Sequence, residues 1–198
     1  IIAGFEWLNI KFDSFYRQSE RTEIYKNELE KMIKEGSAYI SKEEPTEEGK
    51  RTEVIRLKNP KKVITFTDML RGEISVDPSD LGDFVIARSI DDPLYHLAVV
   101  VDDALMGITH VIRGDDGLAN TPRQILIQEA LGYARPAYAH IPFVLGADKS
   151  KLSKRHGALS LLEYREMGYL PEAIINFLST LGWSTQSSHN QTDENREI

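Results

Sequence analysis

Between Pro93 and Leu145 the sequence sets apolar, β-branched runs on either side of one well-punctuated helix, and that order dictates how the chain can fold. The helix signals are explicit. Thr121-Pro122 supplies an N-cap and a first-turn proline, the segment runs through Leu131, and Gly132 stands where a C-cap is wanted. Ala137–Leu145 reads as the strand that follows. Ahead of the helix lie two candidates: Leu94–Val101, nearly all apolar, which predicts a strand covered on both faces, and the shorter Thr109–Ile112. Strand, helix and strand joined by short links make a βαβ unit, so the spacing predicts a parallel sheet in an α/β domain.

The flanks read differently. Ile24, Leu29, Met32 and Ile33 recur at helical spacing within Ser19–Lys34, and Gly36 lies just past the end as a cap. Charge and a proline from Glu43 to Arg51 predict a linker. Short β-type runs at Val54–Leu57, Val63–Phe66, Ile74–Val76 and Phe84–Ile90, separated by turns such as Asn59-Pro60 and Asp77-Pro78, predict a small, mainly antiparallel inserted unit. Two further helices are expected at Ser160–Met167 and Pro171–Leu181. The resulting division is an α/β domain over 1–37 and 92–147, an inserted unit over 38–91, and a basic loop with the start of a helical region over 148–198. Ile2, Phe5, Trp7 and Leu8 read like the last turns of a helix already under way, and Ser184–Asn195 like a loop leading onward, so the expectation is an internal piece of a longer protein.

Composition narrows the chemistry. The 198 residues contain no Cys, which excludes disulfides, thiolate metal sites and cysteine nucleophiles. The five His (His96, His110, His140, His156 and His189) show no close ligand pair, so neither zinc nor another transition metal is expected. No apolar run approaches the roughly 20 residues that span a bilayer. A net charge of −7 argues against a protein that coats nucleic acid indiscriminately. A soluble, cytoplasmic protein with no membrane partner is expected.

Against that acidic background one segment reverses sign. Residues 63–147 hold five basic and twelve acidic side chains, whereas 148–156 hold four basic and one acidic. Lys151 and Lys154, with Ser153 between them, can place two ammonium groups and a hydroxyl on phosphate oxygens, and a loop after a parallel strand occupies the usual ligand crevice of an open sheet. The bland alternative is a solvated basic loop. Arg113 is the only basic residue between Arg88 and Arg123 and ends a strand beside Asp115 and Asp116. It can clamp a carboxylate or phosphate bidentately, or it can pair with those aspartates to hold the strand end. Tyr95-His96 and Asp102-Asp103 bracket the apolar run; the aspartates could cap a turn or bind a cation.

Taken in order, Tyr16-Arg17-Gln18-Ser19-Glu20-Arg21, Tyr95-His96-Leu97 with Val100-Val101-Asp102-Asp103, Met106-Gly107-Ile108-Thr109-His110-Val111-Ile112-Arg113-Gly114, Asn120-Thr121-Pro122-Arg123-Gln124, Lys151-Leu152-Ser153-Lys154-Arg155 and Gly168-Tyr169-Leu170-Pro171-Glu172-Ala173 resemble the bacterial-type glutamyl-tRNA synthetases of class I. The likeness runs from about Trp7 to Trp183. It implies a Rossmann-like parallel sheet, with an inserted α+β unit over the tRNA acceptor end and the start of a helical tRNA-contacting region. It implies that ATP, with Mg2+, and L-glutamate give glutamyl-adenylate, whose glutamyl group passes to tRNA(Glu) in a monomeric enzyme. Lys151, Ser153 and Lys154 would belong to the second class I signature and serve catalysis, with Lys151, Lys154, Arg155 and Asp116 binding ATP. Tyr95, Val99 and Arg113 would line the glutamate pocket. Gly117 stands where relatives often carry an aromatic or His residue, and Val99 where some carry an amide. The first class I signature does not occur in the sequence, so the chain alone is expected to be inactive. A glutaminyl-tRNA synthetase, a paralogue that glutamylates a modified tRNA base, and a non-catalytic acceptor-binding module remain the alternatives.

Overall fold

The βαβ unit expected after Pro93 is present, but it begins one element later than the sequence suggests. The structure, a computed structural model, describes residues 1–43, 53–77, 81–143 and 159–180. Its helices in chain order are α1 (Ile2–Trp7), α2 (Thr22–Glu35), α3 (Tyr95–Leu105), α4 (Thr121–Leu131), α5 (Leu161–Glu166) and α6 (Pro171–Thr180). Its strands are β1 (Ala38–Lys42), β2 (Glu53–Leu57), β3 (Ile64–Asp68), β4 (Gly72–Val76), β5 (Val85–Ser89), β6 (Asp92–Pro93), β7 (His110–Gly114) and β8 (Ala137–Ile141).

Leu94–Val101, read as a strand from its β-branched content, is the body of helix α3. Leu97, Ala98 and Val101, with Leu94 just before the helix, repeat at i, i+3, i+4 and i+7 and form an apolar stripe, and Leu97, Ala98, Val100 and Val101 are buried. The helix packs against α2 and α4, and that burial outweighs the weak β preference of three consecutive valines. The shorter candidate therefore supplies the first strand of the unit. β7 and β8 pair in parallel, with His110 opposite Ala137 and Arg113 opposite His140, and α4 connects them.

The chain divides into two compact units, Tyr16–Ile141 and Ile1–Phe15 with Pro142–Ile198. In the first, one sheet runs β4-β3-β8-β7; β3 lies parallel to β8, and β4 is an antiparallel edge. The second sheet, β1-β2-β5-β6, is antiparallel throughout. Residues 38–91, read as one inserted unit, thus divide between two sheets. The β3–β4 hairpin belongs to the parallel one, where Asp68 pairs with Tyr138 and Ile64, Phe66 and Asp68 alternate inward. Helix α2 ends as expected, with Gly36 in the left-handed conformation at φ 77°. Thr121 is not the cap of α4: that place falls to Asn120, and the Thr121 hydroxyl is turned to other partners.

In the other unit α1 packs on α5, and Leu161 lies close over Gly4. Ser160 and Glu163 form a reciprocal capping box at the start of α5, each side chain taking the other's backbone N–H.

Asp102, one of the pair bracketing the apolar run, is a structural tie. Its carboxylate accepts from Arg21 Nε and from Tyr25 Oη, both at 2.7 Å, which fastens α3 to the start of α2. Burial, and after it the neighbouring carboxylate, pushes the Tyr25 hydroxyl up to about 12. Tyr25→Phe should lower the unfolding free energy by about 1–2 kcal/mol, the worth of a buried hydrogen bond to a charge. Asp102→Ala should cost more, because it also strands Arg21. Urea unfolding reads both, and equal stabilities for the three proteins would show that the tie carries nothing.

Candidate active site

Asp68, Arg113 and His140 come from three parallel strands whose carboxyl ends lie side by side, and the register sets them on one face of the sheet. Asp68 ends β3 and is buried. Its Oδ1 accepts the backbone N–H groups of Leu70 at 3.0 Å and Arg71 at 3.1 Å; its Oδ2 accepts the backbone N–H of His140 at 3.1 Å and ring Nδ1 of His140 at 2.7 Å. Burial alone would raise the Asp68 carboxyl. The bonds from His140 and from the Leu70 and Arg71 amides outweigh it and hold the group below the usual carboxylate range.

An ionised carboxylate only accepts, so His140 carries its proton on Nδ1 and turns a lone pair outward at Nε2. Arg113 Nε donates to that Nε2 at 3.1 Å, and Arg113 Nη2 donates to Thr121 Oγ1 at 2.7 Å. The guanidinium carbon lies 6.0 Å from the ring centroid of Tyr138, which itself stacks on His140. Arg113 is therefore not paired with the aspartates that follow it. Asp115 is taken by Arg71, through Nε at 3.2 Å and a second, shorter bond from Nη2, and this pair ties the β3–β4 turn to the end of β7. Asp116 is exposed in the 3₁₀ turn Asp115–Asn120 that follows β7.

Gly117 belongs to the same turn and is buried against Arg113. A Cβ there would lie 2.3 Å from Arg113 Nε and 2.4 Å from its Cδ, so the arginine stem occupies the space a side chain would need. This accounts for the glycine at position 117.

The other wall comes from α3. His96, Val99 and Asp103 follow one another at i, i+3 and i+7 on one side of the helix, and Tyr95 begins it, 55% exposed with its ring 5.4 Å from that of His96. Burial, then the charges of Arg123 and Arg113, lower the His96 imidazole. Burial raises the Asp103 carboxyl, and Arg113 partly offsets it. Val99 is half-buried against the core. His96 Nδ1 and Gln124 Nε2 are buried without a protein partner, an expensive state that a polar ligand would relieve. Tyr95, Val99, Arg113 and Asp116 all fall within the unit Tyr16–Ile141. Lys151, Ser153, Lys154 and Arg155 lie outside the described residues. Among the described residues no cluster of three His, Asp or Glu side chains could hold a metal.

Sequence reasoning missed Asp68, Thr121 and His140 as members of this site. One signal was available: Asp68 closes the alternation Ile64, Phe66, Asp68, which puts an acid at a buried position of a strand. Such a carboxylate needs donors nearby.

The sequence matches the family described as tRNA synthetases class I (E and Q), catalytic domain, over residues 1–52 and 40–196, and the chain belongs to that family. It is 44% identical to the glutamate–tRNA ligase of Aquifex aeolicus over 232 residues, covering 100% of this chain and 48% of that protein. It is 46% identical to the glutamate–tRNA ligase of Hydrogenobaculum over 220 residues, covering 94% of this chain and 47% of that one. A glutamate–tRNA ligase from Elizabethkingia meningosepticum, solved in complex with its amino acid, superposes with a TM-score of 0.80 at 30% identity, covering 93% of this chain and 50% of that one. The chain therefore spans about half the length of these relatives.

Gly117→Ala tests the packing around Arg113. The added methyl should expel the arginine from both its hydrogen bonds and lower the unfolding free energy by about 1–3 kcal/mol, as overpacking does. A melting curve unchanged from the parent would mean that the arginine yields freely.

Proposed function

We propose that this chain forms part of a glutamate–tRNA ligase, which joins glutamate to ATP as glutamyl-adenylate and passes the glutamyl group to the 3′ end of tRNA(Glu). The observation that carries the reading is Arg113: a guanidinium fixed at the carboxyl end of the parallel strands, with no carboxylate of the described residues within ion-pair distance. Ligands of open α/β sheets gather at that edge. A glutamate carboxylate against Arg113, with Tyr95 and Val99 beside it, supplies the missing anion.

In the activation step a carboxylate oxygen of glutamate attacks the α-phosphorus of ATP and pyrophosphate leaves. The chain's part is to position the reactants and to stabilise the charge that grows on the phosphates. Lys151, Ser153 and Lys154, which follow β8 in sequence, fit the second task, and Arg155 and Asp116 fit the binding of ATP. Magnesium would arrive with the triphosphate, since it keeps most of its waters and prefers phosphate oxygens to an all-protein cage. The antiparallel sheet β1-β2-β5-β6 suits the tRNA acceptor end, and the helices after Lys154 suit the inner side of the tRNA. These 198 residues lack cysteine and so offer no thiolate zinc site, and the resemblance suits a monomeric, cytoplasmic enzyme.

Glutamate and glutamine have nearly the same shape, so charge must separate them. A guanidinium pairs bidentately with a carboxylate but meets an amide nitrogen donor to donor, a mismatch of about 1–3 kcal/mol. In a full-length enzyme carrying this sequence, Arg113→Gln should raise the glutamate KM, and it should narrow the preference over glutamine if Arg113 meets the side-chain carboxylate. Unchanged KM and preference would reduce Arg113 to a structural residue. Lys154→Ala should lower kcat on the order of a hundredfold with little effect on melting, the pattern of a lost transition-state stabiliser. An unaltered kcat in tRNA glutamylation would remove Lys154 from the chemical step.

A further inference from the structure

We propose that Asp68 and His140 are positioning residues for Arg113: the buried carboxylate fixes the tautomer of the imidazole, and the imidazole fixes which edge of the guanidinium is left for substrate. The inference rests on the reading of Arg113 as the group that meets glutamate, and it adds the two residues that make the clamp rigid.

The donor count carries the argument. Arg113 has five N–H groups. Nε–H is spent on His140 Nε2 and one Nη2–H on Thr121 Oγ1, so the Nε/Nη2 edge faces inward. Two hydrogens on Nη1 and one on Nη2 remain, and no described residue accepts them. They form the end of the fork, the second edge that can take a carboxylate through two parallel bonds. Which edge is left depends on His140. With its proton on Nδ1 the ring accepts from Arg113; with the proton on Nε2 two donors would meet and the inner edge would be expelled. Asp68 selects the first, because its Oδ2 sits 2.7 Å from Nδ1 and is an acceptor alone, whereas the Thr121 hydroxyl, 3.1 Å from Nε2, can donate or accept and so imposes neither form. The backbone N–H of His140 on the same oxygen and the Leu70 and Arg71 amides on the other leave the carboxylate no freedom to turn. Both side chains are fully buried, so water does not compete for these bonds. Gly117 completes the fit by leaving room for the arginine stem.

The relay spans three strands. Asp68 on β3 acts on His140 of β8, which acts on Arg113 of β7, and the parallel register places the last two directly opposite one another. A residue 45 positions away in sequence thereby governs the geometry of the substrate-binding cation.

The test uses a full-length enzyme carrying this sequence, with tRNA glutamylation measured against glutamate and against glutamine. His140→Ala should raise the glutamate KM about tenfold or more, leave the ATP KM unchanged, and narrow the preference for glutamate over glutamine, because a loosened clamp loses its aim. His140→Gln, whose side-chain oxygen can stand in for Nε2 as the acceptor, should recover part of both. Asp68→Asn should shift KM and preference in the same direction as His140→Ala. A structural role alone would change melting and leave preference untouched. If Arg113→Gln raises the glutamate KM while His140→Ala does not, the relay is refuted and the role of Arg113 stands; if neither variant changes KM or preference, the reading of Arg113 fails and the relay with it. Imidazole 15N spectra of the unmodified protein give a check that needs no variant: the His140 proton on Nδ1 supports the relay, and a proton on Nε2 overturns it.

Discussion

The Asp68 carboxylate, buried where β3 runs beside β8, is the constraint around which the site is assembled. An ionised group there would be prohibitive without compensation, and four hydrogen bonds supply it. Two of these bonds come from the backbone immediately after β3 and shape the turn into β4; the other two hold His140. One anion thus sets the course of a hairpin, the orientation of a ring on the neighbouring strand and, through that ring, the placement of Arg113 on a third. The parallel register makes this possible: Arg113 lies opposite His140, and Asp68 lies opposite Tyr138, two residues earlier on β8 and therefore on the same face as His140.

Around this centre the remaining charges divide into those that hold the scaffold and those left for a ligand. Asp102 is consumed by Arg21 and Tyr25, and Asp115 by Arg71. These pairs fix α3 to α2 and the β3–β4 turn to the end of β7, which are the elements that flank Arg113. Arg113 itself is bound only to neutral partners, an imidazole and a hydroxyl. Its charge is therefore oriented but not neutralised, the condition a cation needs if it is to select a substrate by charge.

Much of the fold was legible along the chain because its signals are local. Helix α2 with Gly36, α4 with Gly132, α5, and the strands β2 to β5 all follow from spacing and from residues with a strict backbone preference. Helix α3 was misread because three valines in a row weigh toward a strand when counted by type. The competing evidence, Leu94, Leu97, Ala98 and Val101 at helical intervals, becomes decisive only when α2 and α4 are present to bury that stripe. The allocation of β3 and β4 was hidden for a related reason. Strand-like residues declare a strand, not a partner, and β3 finds β8 across some seventy residues of chain.

The sequence by itself determined the class of fold, the family, the basic segment at Lys151–Arg155, and Arg113 as a solitary cation at a strand end. Each of those is a matter of residue type, order and short spacing. Only the tertiary structure decided that Arg113 turns from Asp115 and Asp116 toward His140 and Thr121, that Gly117 is the space its stem fills, and that Asp68 stands behind His140. Those choices depend on side chains brought to 3.1 Å and 2.7 Å from one another by strands 27 and 72 positions apart. Burial then sets their energies, since the same polar groups in water would have no preference among partners.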